Sequence, residues 1–276
     1  MNITRCITCC VLLLCTFAAA ANTVSQSITL GVVPQQSAKK MAERWQPLIQ
    51  YISEYTGLDI EFKTAKDIPT FEENVANGEY DIAYMNPYHF VVFNDSAGYN
   101  ALARQKNKAI KGIIVVRKDS GIDTLEELDG TEIAFPAPAA FAATIITSAE
   151  LRKRNITVIP RYVNSHDSVY LAVERGFFQS GGGIVRTLKV LPKDVSDNLK
   201  ILWESNGYTP HALATHPEMA QNHREAILKA LISISSDTSK SWVLEQLGFN
   251  GFIPASNNDW DDVRALGIAS LSRPRI

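Results

Sequence analysis

ITLGVVPQQSAKKMAERWQPLIQYISEYTGLDIEFKT, residues 28–64, decides the architecture of this chain. Ile28 to Val33 is aliphatic and β-branched, and reads as a strand. Pro34, Gln35, Gln36 and Ser37 interrupt it. From Ser37 to Tyr55 the apolar residues Met41, Trp45, Leu48, Ile49 and Ile52 recur at the spacing of one helix face. Gly57 stands where a glycine ends a helix, and Leu58 to Thr64 returns to a strand pattern. A long helix between two strands is the crossover that a parallel pair requires, so the chain reads as α/β.

The alternation continues outward from this unit. Phe71 to Ala76 is a short helix closed by Asn77 and Gly78, Asp81 to Met85 is a strand, and Pro87 opens the next element. A second set begins near Gly112. It comprises a strand over Ile113–Arg117, a short helix over Leu125–Leu128, a strand over Thr131–Phe135 and a helix over Ala139–Lys153. Val158–Val163 and Val169–Arg175 extend it, Phe177–Gly183 reads as a loop, and Lys200–Trp203 is a further strand. The remainder reads as mostly helical, over Arg224–Ser235, Ser239–Leu247 and Asp259–Leu266. The layout is two α/β lobes with two crossings: 22–110 plus 206–276 form the first, and 111–205 the second.

Charge and cysteine usage narrow the function. Lys and Arg number 27 against 29 Asp and Glu, a net charge of −2 that argues against a nucleic-acid partner. All 4 cysteines, Cys6, Cys9, Cys10 and Cys15, precede residue 16. They lie around an apolar run that follows Arg5 and ends in Ala18–Ala21, the pattern of a cleavable signal peptide over residues 1–21. Export to the periplasm follows, with no cysteine left in the mature chain. Leu14, directly before Cys15, speaks against a lipid anchor there. No later stretch is long and apolar enough to span a bilayer.

Catalytic signatures are missing. The chain has no GxSxG, GxxxxGK[ST], HExxH or GxGxxG motif. His89, His166, His211, His216 and His223 include no pair at helix-face ligand spacing, so no metal site is expected. Glu72-Glu73 and Glu126-Glu127 read as solvated helix faces. Asp259, Asp261 and Asp262 read as a helix start, where negative charge suits the dipole. Neither an enzyme nor a cofactor is expected.

Several segments, in order, carry a resemblance: Gly31 to Pro34, Trp45 to Leu48, Tyr51 to Gly57, Asn77 to Tyr84, Leu128 to Phe135, Ser165 to Asp167 and Gly251 to Pro254. Together they resemble the phosphate/phosphite/phosphonate-type periplasmic solute-binding proteins, the substrate-binding component of ABC transporters. That resemblance implies a type II periplasmic binding protein fold, two α/β lobes with a hinge and a small-molecule ligand in the interlobe cleft. A phosphonate or related oxyanion, an ABC permease as partner and a monomeric state are the corresponding expectations. Two other uses of the fold stay open: a ligand sensor for a membrane histidine kinase, and an exported enzyme.

The resemblance also nominates cleft residues. Gln35 and Gln36 follow the first strand. Tyr84 and Asn86 close the third. Ala139, Ala140, Phe141 and Thr144 stand where relatives carry a hydroxyl-rich turn that holds an anion with backbone N–H groups. Here that turn is Ala- and Phe-rich, which favours a less charged or partly apolar ligand. His166 matches a ligand-contacting position, and Tyr208 and His211 follow the second crossing. Gln179 and Ser180 are neutral where relatives often carry an acid for a cationic group. Each nominee has an ordinary alternative: Asn86 as a helix cap, Tyr84 and Phe141 as core, His166 as an exposed neighbour of a cap.

Overall fold

In the computed structural model, residues 27–267 are described; the expected signal peptide lies outside the described residues, as do 22–26 and 268–276. Eleven strands follow in chain order: β1 Ile28–Val32, β2 Ile60–Thr64, β3 Ile82–Met85, β4 Asn100–Gln105, β5 Ile113–Arg117, β6 Glu132–Phe135, β7 Ile159–Tyr162, β8 Ser180–Gly183, β9 Leu199–Glu204, β10 Ala212–Thr215 and β11 Phe252–Pro254. They form a six-stranded sheet of order β11-β4-β10-β3-β1-β2 and a five-stranded sheet of order β7-β6-β8-β5-β9.

The two sheets repeat one plan. In the first, β2, β1 and β3 are parallel, β10 lies antiparallel to β3, and β4 pairs on its far side. In the second, β7, β6 and β8 are parallel, β5 lies antiparallel to β8, and β9 pairs on its far side. In both, the antiparallel strand beside the parallel trio is the one by which the chain arrives from the other sheet. The chain is therefore a type II periplasmic binding fold with two mixed α/β lobes.

Residues 106–112 and 205–211 carry the chain between sheets. They run side by side: Ile110 and Tyr208 exchange both backbone hydrogen bonds at 2.9 Å, and Ser205 N donates to Gly112 O at 2.9 Å. Two paired segments crossing between the sheets form a hinge.

The opening helix forms over Ala38–Thr56 and buries the five apolar residues that its spacing selects. Ser37 caps its start, and Gly57 at φ 72° ends it in the left-handed region that glycine adopts without cost.

Four expectations are corrected. Phe177–Gly183 is not a loop throughout, because Ser180–Gly183 is the buried strand β8, central to the second sheet. Its glycines allow close packing: a Cβ on Gly182 would collide with the Ala143 carbonyl and the Phe135 ring. The 139–153 helix is a π-helix over Phe141–Ile146 that continues as an α-helix over Thr147–Lys153. The C-terminal part contains β10 and β11 as well as helices, and β4 precedes the first crossing. Finally, Glu72 is not solvated: it is 3% exposed and packs beside His89.

Candidate functional site

Open α/β sheets bind ligands beyond the carboxyl ends of their strands. In the first lobe, the loop after β1 carries Gln35 and Gln36, and Asn86 follows β3. His211 precedes the antiparallel β10, whose first residue Ala212 pairs with Met85, so it stands at that same edge. In the second lobe, β6 ends into the 136–141 turn and β7 into His166. The two edges meet. Asn86 Nδ2 donates to Ala139 O at 3.2 Å, and the Phe141 ring meets Tyr208 of the hinge edge-on at 5.9 Å. Phe141, Ala142 and Ile146 join the same apolar cluster as the core of the first lobe.

Tyr84, on β3, is buried at 5% exposure. Its hydroxyl accepts from Gln105 Nε2 at 2.8 Å, and burial pushes its pKa up. One face of its ring packs on Trp45 at 4.7 Å, and His211 stacks on it at 5.1 Å and 17°. Tyr84 is thus the floor beneath His211. Gln35 Nε2 lies 2.9 Å from His211 Nε2; the amide donates, which makes that ring nitrogen the acceptor of a neutral imidazole. Burial, then His89, Arg186 and Lys108, hold the His211 pKa down to about 3.

His166 opens the helix His166–Glu174, whose N-cap Ser165 accepts from Ser168 N at 3.0 Å. Its Nδ1 is buried and has no hydrogen-bond partner. Burial lowers its pKa to about 4, opposed by Asp167 and reinforced by Arg186. His89 Nδ1 and Ser180 Oγ share that status; of the three, His166 is the one that follows a parallel strand of the second lobe at its carboxyl edge.

Asn86 has two roles. Its Oδ1 accepts from His89 N at 2.8 Å and caps the helix Pro87–Ala97, while its Nδ2 reaches across to Ala139. Behind it, His89 Nε2 lies 3.0 Å from Glu72 Oε1, with both side chains buried.

The other nominees separate. Ala139 and Ala140 are half-buried beside Asn86, and Ala140 leaves the following helix start without a side-chain cap. Phe141 is 3% exposed. The Thr144 hydroxyl donates to Ala137 O at 2.7 Å, so it ties the turn together from inside. Gln36 turns away, its Oε1 accepting from Arg44 Nη1 at 3.1 Å. Contacts therefore join Gln35 and Tyr84 to His211, Asn86 to Ala139, and Phe141 to Tyr208; Ala140 and His166 share their sheet edge by strand order, and Gln36 and Thr144 are engaged elsewhere. Sequence reading missed Arg186 and Lys108. Both lie just past strand ends, the signal that found the others.

Two α/β lobes of one topology, with facing carboxyl edges and a paired hinge, define a bilobal solute-binding protein. The family model described as ABC transporter, phosphonate, periplasmic substrate-binding protein matches residues 30–260, and the chain belongs to that family. It is thus a substrate-binding transport component, not an enzyme. A curated relative, the phosphate-import protein PhnD of Mycolicibacterium smegmatis, is 23% identical over 87% of this chain and 84% of its own. Among solved structures, PhnD1 of Prochlorococcus marinus in complex with methylphosphonate superposes with a TM-score of 0.77 at 12% identity, covering 88% of this chain and 97% of that one. A binding protein component of an ABC phosphonate transporter from Pseudomonas aeruginosa gives 0.75 at 16% identity, covering 87% and 85%.

Proposed function

We propose that this protein captures a small phosphorus oxyanion, of the phosphonate or phosphate class, between its two lobes and presents it to an ABC permease. The observation that carries the ligand class is the unpartnered, buried Nδ1 of His166 on the same sheet edge as a helix start with no side-chain cap. Facing an anion, that nitrogen donates as the Nδ1–H tautomer, and uptake of a proton from solvent makes it a charge-assisted donor. The uncapped backbone N–H groups supply donors in place of the missing hydroxyls. The phosphate and methylphosphonate named for the relatives agree with this chemistry. Gln35, Tyr84, Asn86, Phe141, His166, Tyr208 and His211 are the residues we assign to the cleft wall.

The lobes are bounded as 22–110 plus 206–276 and 111–205, and residues 1–21 are a signal peptide cleaved after Ala21. Mass spectrometry of the exported protein should find Asn22 as its first residue; an intact N-terminus would remove the cleavage assignment. For the ligand, the mature chain is screened by thermal shift against methylphosphonate, phosphate, phosphite and sulfate. Stabilisation should follow RT ln(1 + [L]/Kd) for at least one phosphorus compound, and a flat response to all of them overturns the ligand class.

A further inference from the structure

Arg186 and Lys108 have no part in the fold described above. Most of the arginines on this molecule's surface are engaged: Arg104 pairs with Asp259, Arg117 with Asp119, Arg154 with Glu150 and Arg161 with Glu132. Arg186 and Lys108 are exposed, and among the described residues neither has an ion-pair or hydrogen-bond partner.

Topology sets where they stand. Arg186 lies in the first turn of Val185–Lys189, immediately after β8. Because β8 is parallel to β6, it ends on the edge that carries the 136–141 turn and His166. Lys108 follows β4 in the first crossing. Since β4 and β3 are both antiparallel to β10, Lys108 leaves the first sheet on the edge that carries Asn86 and His211. The two cations thus approach one cleft, Arg186 from the second lobe and Lys108 from the hinge end of the first.

Their fields agree with that placement. The Arg186 charge acts on His166 of its own lobe and on Tyr84 and His211 of the other, and Lys108 acts on His211 as well. Two cations without ion-pair partners, past strand ends on facing edges and beside half-buried imidazoles, make a positive cleft that gains most from an anion. An ammonium group in the same place would meet like charge from both Arg186 and Lys108, with the Asp167 carboxylate next to His166 as the opposing charge at that edge.

We propose that Arg186 and Lys108 form a two-lobe charge clamp that neutralises a ligand carrying anionic groups alone and rejects one that also carries an ammonium. The clamp takes over the role of the hydroxyls missing from the Ala-rich turn, and it rests on the oxyanion reading given above. It also links capture to closure, because Arg186 moves with the second lobe while Lys108 stays at the hinge, so an anion held by both favours the arrangement that brings them together.

Isothermal titration calorimetry with methylphosphonate and 2-aminoethylphosphonate tests this on the mature protein. Wild type should prefer methylphosphonate by about tenfold or more, as expected for one unmatched charge in a closed site. Arg186→Gln should weaken methylphosphonate binding by about 10- to 100-fold, and Lys108→Gln by a smaller factor of about three. Arg186→Glu should narrow or reverse the preference between the two compounds. Both side chains are exposed, so the melting temperature of the unliganded variants should match wild type, which separates lost binding from lost folding. Wild-type affinity in Arg186→Gln overturns the clamp and leaves the oxyanion reading standing. A wild-type protein that binds no phosphorus oxyanion overturns both.

Discussion

His166 and His211 tie ionisation to stability. Their folded pKa values of about 4 and about 3 lie below the ordinary histidine value of 6.5. The groups acting on them are Asp167 and Arg186 for the first, and His89, Arg186 and Lys108 for the second. As pH falls below 6.5 the unfolded chain takes up protons that the folded chain refuses, so unfolding becomes easier. Urea melts of the unliganded protein should show stability declining from pH 7 to pH 4.5, with a shallower decline in the His166→Gln/His211→Gln double variant. Equal slopes in the two proteins would mean that other groups govern the acid limb. The buried His89–Glu72 contact makes a second point at this scale. Truncating His89 to Ala leaves the Glu72 carboxyl, 3% exposed, without its hydrogen-bond partner and should cost about 2 kcal/mol in the same melts. Sequence reading placed Glu72 on a solvated face because a two-acid run beside a helix gives no sign of which acid turns inward. Only the packing of Phe71–Ala76 against His89 decides it.

Strands and helices differed in how openly the sequence announces them. The Ala38–Thr56 helix was legible because five large apolar residues keep its period and both caps are in place. β8, with sequence SGGG, has no side chains with which to show a strand's alternation, and β10 is the short, Ala-rich ALAT. Both are held by their neighbours rather than by propensity. These omissions also hid part of the candidate site. Gln35, Asn86 and the 136–141 turn were found because they follow recognisable strands, whereas Arg186 follows β8 and Lys108 follows β4, neither of which was read as a strand. Gly182 measures what β8 needs. Its missing Cβ is the space into which the Ala143 carbonyl and Phe135 ring pack, and backbone cannot move aside as a side chain can. Gly182→Ala should therefore destabilise the protein by about 3 kcal/mol in thermal or urea melts. Gly121, at φ 72° with nothing within 4 Å, is the comparison: Gly121→Ala should cost about 1 kcal/mol, from backbone conformation alone. Equal losses at the two positions would mean that the close packing of β8 is not what holds the second sheet.

At the scale of the whole molecule, the repeated sheet plan places both ligand-facing edges on one side of a two-segment hinge, so binding and closure become one equilibrium. The sequence carried the two lobes, through its two α/β sets, but not their contact, which depends on which side chains meet once the edges face each other. Asn86 is the clearest such contact: its oxygen caps a helix of the first lobe while its amide donates to Ala139 O of the second at 3.2 Å. A hydrogen bond between the lobes favours the arrangement in which they meet by about 1 kcal/mol, the net value of one intramolecular hydrogen bond. Apparent affinity scales with the fraction of molecules already competent to bind, so losing the bond should weaken binding by about fivefold even though Asn86 keeps its cap. Asn86→Ser isolates this effect, because serine still caps the helix but cannot reach across as an amide donor. Small-angle scattering should find the unliganded variant more extended than wild type and the two alike once ligand is saturating, with the affinity loss appearing in the apparent on-rate. A variant as compact as wild type without ligand, and equally tight in binding, would show that the Asn86–Ala139 contact accompanies closure without contributing to it.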